Sequence, residues 1–167
     1  NNGYFCEVGG GMICLSSNPI FQNVVFDNNQ ADFGGGIFLD ETDGNFINVQ
    51  FTNNDGGYGG AMLCLTESNP MIANATFADN VAIYGGAIAC FEGSNPELTN
   101  TIIFHNNPDQ IYFTEDGGAN SVTISYSNIE GGESGIVTNG NGWVNWLDGN
   151  IEQDPDFSNS GSFPYSL

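Results

Sequence analysis

The chain has 167 residues, 40% of them hydrophobic, enough for one domain with an interior and too apolar for a disordered acidic tail. Its 20 Asp and Glu residues face no Lys or Arg, giving a formal charge of −20. Nothing can neutralise phosphates, so nucleic acid is excluded as a partner and anionic lipid surfaces are disfavoured. No apolar run approaches the ~20 residues of a membrane span, so this segment is not expected to insert into a membrane, and no signal peptide is visible.

Two readings of the missing Lys and Arg stay open: an acidic surface adapted to secretion or salt, or a window left by proteolytic trimming after those residues. The first residues fall inside a repeat and there is no initiator Met, so a mature form or an excised piece of a longer protein is expected.

In chain order, a partial first copy carries GGGMIC at 9–14 and a turn at Asn18-Pro19. FDNNQADFGGGIFLDETDG follows at 26–44, FTNNDGGYGGAMLCLTESNP at 51–70 and FADNVAIYGGAIACFEGSNP at 77–96. Phe26, Phe51 and Phe77 stand 25 and 26 residues apart, with Asn29, Asn54 and Asn80 three places after each. Phe104 and Asn107 extend this series after a one-residue insertion. Asn23, Asn48, Asn74 and Asn100 form a second polar column, and Phe33, Tyr58 and Tyr84 an aromatic one before the glycine pairs.

Within each copy the apolar residues alternate over short stretches such as GAIACF at 86–91, which is strand periodicity. Asn-Pro, Asp-Gly and Gly-Gly pairs bound these stretches, and no segment offers a capped helix of three turns. A unit of 25–26 residues with two or three short strands cannot bury a face alone, so the units must stack. The expected fold is all-β, a parallel β-helix of about six coils, one copy per coil, in a single domain spanning 1–167. Regular coils are expected over about 5–107. Beyond them, strands are read at Ile111 to Phe113 and Ser121 to Tyr126, a polar loop at 131–142, and an irregular last coil from Trp143.

The columns then acquire roles. Phe at one level and Ile37, Met62 and Ile88 at another fill the interior, and the Asn columns bond to turn backbone and to one another as ladders. Asn74-Ala75-Thr76 reads as a glycosylation sequon, but its place in a ladder column favours the structural role.

FDNN (26–29), FTNN (51–54), FADN (77–80) and FHNN (104–107), with GGGM (9–12), GGGI (34–37), GGAM (59–62) and GGAI (85–88), resemble the FxxN and GGA[ILV] repeats of the polymorphic outer-membrane proteins. Only GGAI satisfies the second motif strictly; the others substitute Gly or Met. That family consists of autotransporter-type adhesins with β-helical passengers. The stretch from NTIIFHNN (100–107) through SVTISYSNIEGG (121–132) to GNIEQDPDF (149–157) is similar to the ending of many secreted bacterial right-handed β-helix proteins. The resemblance implies a right-handed coil, extracellular or cell-surface placement and an adhesive or structural role. The fold itself also hosts polysaccharide enzymes.

Candidate chemistry is sparse. Cys14, Cys64 and Cys90 share an inward column with Leu39, so they read first as small interior residues; Cys64 and Cys90 on adjacent coils, or Cys6 with Cys14, are the conceivable disulfides. His105 stands alone in FHNN as a solvated turn residue, where other copies have Asp27, Thr52 and Ala78. Lyases on this fold use a cationic base that this chain lacks, so no catalytic residues are assigned and an enzyme is not expected. Glu41, Glu67 and Glu92 lie nearly in register at loop turns and are candidate calcium ligands, calcium being the one cofactor under consideration. Asp148, Glu152, Asp154 and Asp156 form a second acidic group. Ile13, Phe38, Leu63 and Ala89 should face outward as an apolar contact stripe, or be covered by a loop or the C-terminal segment.

The leading expectation is therefore a non-enzymatic structural or adhesive surface module, self-assembling into filaments by joining like subunits or adjacent segments at open coil ends. The alternatives are a polysaccharide-binding or carbohydrate-active β-helix protein, with host or matrix glycans as partners, and a calcium-dependent surface module.

Overall fold

The computed structural model describes residues 7–157. Every named strand pairing in it is parallel, and each strand bonds to its equivalent about one repeat away. The first sheet stacks Met12–Leu15, Ile37–Asp40, Met62–Leu65, Ile88–Cys90, Ile111–Phe113 and Ile136–Val137. The second stacks Ile20–Gln22, Asn45–Ile47, Met71–Ala73, Glu97–Thr99, Asn120–Ser125 and Gly142–Trp146. Val25–Asp27, Gln50–Thr52, Thr76–Ala78, Ile102–Phe104 and Asn128–Ile129 make the third. Among the described residues the fourth holds Gln30–Phe33, Asp55–Tyr58 and Val81–Tyr84, extended by single bridges from Phe33 to Val8 and from Val81 to Asn107. Two sheets six strands deep amount to about five turns of a parallel β-solenoid.

The interior is filled by like residues placed over like. Phe26, Phe51 and Phe77 are buried, with ring centroids 4.8 and 4.7 Å apart and planes within 5° and 9° of parallel. Ile37, Met62, Ile88 and Ile111 fill a second column, and Leu39, Cys64, Cys90 and Phe113 a third. Aromatic stacking adds to area burial, and strand spacing sets the contact distance.

The glycine clusters fold the chain back between the fourth and first sheets. Gly34, Gly59 and Gly85 have φ of +63°, +66° and +66°, which glycine adopts without strain. A side chain at Gly35 would overlap the carbonyl oxygens of Asp55 and Gly60, because successive coils press together there.

Two expectations need correction here. Phe77 lies opposite Ile103, so Ile103 continues the Phe column and no insertion precedes it; Phe104 points outward over Ala78 and packs with Phe157. Asn106, not Asn107, therefore continues the asparagine ladder, and Asn107 is exposed. Second, parallel pairing continues past residue 107, although the coils there are less regular and, among the described residues, the fourth sheet gains no named strand beyond Val81–Tyr84. The segment 131–142 read as a loop contains Ile136–Val137, which pairs with Ile111 and Tyr112, and Gly142–Trp146 pairs with Asn120–Ile124. The repeat phrase vanishes there because Ile136, Val144 and Trp146 fill the coil without the Phe and Gly-Gly markers.

Candidate functional site

The polar ladders explain why Phe and Asn recur at a fixed spacing. The backbone N–H and Nδ2 of Asn29 donate to Asn54 Oδ1 at 3.1 and 2.9 Å. Asn54 does the same to Asn80 at 3.0 and 2.9 Å, and Asn80 to Asn106 at 3.0 and 2.8 Å. The remaining Nδ2 proton of Asn54, Asn80 and Asn106 reaches back to the carbonyl of Phe26, Phe51 and Phe77, at 2.9, 2.9 and 3.0 Å. Each buried amide is thus satisfied by the Phe of the preceding copy, which is the condition for burying it at all.

Asn23, Asn48, Asn74 and Asn100 occupy an exposed corner, all with φ between 50° and 56°. Asparagine tolerates this left-handed region better than other non-glycine residues. Asn48 donates to Asn23 at 3.2 Å and Asn100 to Asn74 at 2.7 Å.

A further buried ladder escaped the sequence reading. The N–H of Thr42 donates to Ser68 Oγ at 3.0 Å, that of Ser68 to Ser94 Oγ at 3.1 Å, and that of Ser94 to Asn120 Oδ1 at 3.1 Å, all inaccessible to solvent. Their 26-residue spacing just before each turn was the available signal.

Cys64 and Cys90 lie directly opposite on adjacent strands, fully buried, as free thiols; Cys14 is free too. Burial, and then contact with Cys64, pushes the Cys90 thiol well up. Burial alone raises Cys14. Cys6 lies outside the described residues.

The carboxylates lie nearly in register, with an offset of one position at Glu67. Strand pairing puts Glu41 beside Thr66, and Thr66 beside Glu92, while Glu67 falls one position further along the turn. Ser16 Oγ donates to Glu41 at 2.8 Å, and Thr66 Oγ1 to Glu92 at 3.4 Å. Among the described residues no three His, Cys, Asp or Glu side chains converge on a possible metal position.

His105 aligns with Asp79 rather than Ala78, at a left-handed corner with φ 59°. Its Nδ1 is 3.9 Å from Asp79, and its N–H donates to Glu130 at 2.7 Å; both side chains of the pair are about half exposed. Asp27 is held below its ordinary value: burial acts to raise it, but hydrogen bonds from Asn53, Thr52 and Asn28 outweigh that.

The expected contact stripe is covered. Phe38, Leu63 and Ala89 do lie on the outer side of the first sheet, but they are buried under Phe33, Tyr58, Leu65 and Phe91. The tight glycine turns swing the aromatic column onto them, so of the four predicted residues only Ile13 is exposed, at 43%. Phe33, Tyr58, Tyr84 and Tyr112 form that column, with centroids 5.4, 5.2 and 5.0 Å apart. Near-parallel stacking between Phe33, Tyr58 and Tyr84 leaves mainly ring edges for a ligand.

Residues 16–161 match the family described as right handed beta helix region, which covers most of the chain. The chain belongs to the right-handed β-helix family. Neither the curated proteins nor the solved structures yielded a match. As a right-handed β-helix, the molecule offers repetition over a long surface, with side chains at about 5 Å intervals along the axis.

Proposed function

We propose that this β-helix is a non-enzymatic structural and adhesive module of an extracellular or cell-surface protein of the polymorphic outer-membrane type, continuing its stack into like subunits or adjoining segments. One observation carries this reading. Met12 heads an inward column whose next members, Ile37, Met62 and Ile88, have no solvent exposure, yet Met12 itself is 41% exposed. Among the described residues its strand, like Ile20–Gln22 and Val25–Asp27, is the outermost of its sheet, and its outer edge pairs with no named strand. An apolar column open beside unpaired edges templates further stacking.

Light scattering and negative-stain microscopy over a concentration series, in enough salt to screen the charge, test the proposal. Growth of axial particles with concentration is expected. Strictly monomeric particles throughout would refute assembly, and turnover of neutral or acidic glycans would refute the non-enzymatic reading.

A further inference from the structure

In the corner column the asparagines Asn23, Asn48, Asn74 and Asn100 give way to Tyr126, in the same left-handed conformation with φ 51°, and then to Gly149 with φ 82°. Tyrosine is poorly suited to that conformation, and here it is 65% exposed. Its ring rests against Gly149, where any Cβ would overlap the ring. The ring separates two depressions. One, of about 310 Å³, is bounded by Tyr126, Asn128, Gln153 and Asp154; the other, of about 460 Å³, by Tyr126, Trp146, Leu147 and Asp148. An exposed aromatic ring therefore lines both depressions, each of which also carries an aspartate, in a chain of charge −20 without a single Lys or Arg.

We propose that Tyr126 and its two flanking depressions form a docking site for a basic segment of a partner protein, an arginine guanidinium lying on the ring with Asp148 and Asp154 as counter-ions. Arginine fits better than lysine because its planar group stacks on an aromatic ring while its donors reach carboxylate and amide oxygens at the edge. The field of the whole molecule concentrates cationic partners at its surface, and the ring selects where they settle. The site lies on the flank of the last coils, so it does not depend on assembly through the coil ends.

The test is calorimetric titration, at physiological salt, with acetyl-Gly-Arg-Gly-Arg-Gly-amide, its citrulline counterpart and cellotetraose. The arginine peptide should bind and the other two should not. Tyr126→Asn restores the residue found at the equivalent corners, so it should fold, and it should weaken binding about tenfold. Tyr126→Phe should bind normally, Asp154→Asn should bind more weakly, and the distant Asp32→Asn should match the parent chain. The proposal is overturned if the arginine peptide fails to bind, if Tyr126→Asn binds as well as the parent, or if Asp32→Asn loses as much as Asp154→Asn. Tyr126-dependent binding of cellotetraose or of the citrulline peptide would overturn it equally.

Discussion

Asn80 makes five bonds at once: two donated to Asn106, one donated to the carbonyl of Phe51, and two accepted by its Oδ1 from the backbone N–H and Nδ2 of Asn54. Asn80→Ala strands several of these groups in a dry interior, and chemical denaturation should show a loss of about 3 kcal/mol. The register predicts a sharper contrast one coil on. Asn106→Ala should cost about 2 kcal/mol, whereas Asn107→Ala, on an exposed side chain, should stay within about 0.5 kcal/mol. Tyr126→Asn should raise stability by about 1 kcal/mol, because it relieves a left-handed tyrosine. The stacking phenylalanines and their asparagines were legible in the sequence because both identity and spacing repeat. The Thr42, Ser68, Ser94 and Asn120 ladder was not, because its members share only a hydrogen-bonding oxygen and not a residue type.

At the level of strands and turns, register decided which expectations survived. Alternation placed Phe38, Leu63 and Ala89 on the outer side of their sheet, but alternation carries no information about what the neighbouring turn lays over that side. The cover is tertiary, made by residues on strands that the glycine turns bring alongside. Similarly, FHNN presents two asparagines, and only strand pairing distinguishes Asn106 from Asn107. Acid behaviour belongs to these turns as well. Asp27 has its folded value depressed, so its contribution is present above the unfolded carboxylate range and is lost as pH falls through the folded value. Asp109 is the reverse: burial raises it, against a backbone hydrogen bond at Gly85 that lowers it. Its ionisation therefore opposes folding, and stability is lost as pH rises from the unfolded to the folded value. Asp109→Asn should accordingly melt slightly higher than the parent at pH 7 and no higher near pH 3, measured by thermal unfolding followed by circular dichroism.

For the whole molecule, 20 carboxylates without Lys or Arg mean that repulsion is answered by little internal attraction. Added salt screens charges beyond ~10 Å at 0.1 M, so the melting temperature should climb by a few °C, on the order of 1 kcal/mol, between low and moderate salt. A chain stabilised mainly by surface ion pairs would show the opposite trend. The buried thiols provide a second global check. Cys64 and Cys90 should resist alkylation in the folded state at neutral pH, since both are enclosed and burial disfavours the Cys90 thiolate.

All of this depends on equivalent side chains of successive coils bonding through the interior, and side-chain amide hydrogen exchange observed by NMR reads those bonds one at a time. Slow exchange is predicted for the Nδ2 protons of Asn54, Asn80 and Asn106, with contacts from each to the coil before it, and fast exchange for Asn107. Rapid exchange at Asn54 and Asn80, indistinguishable from Asn107, would contradict the stacked ladder.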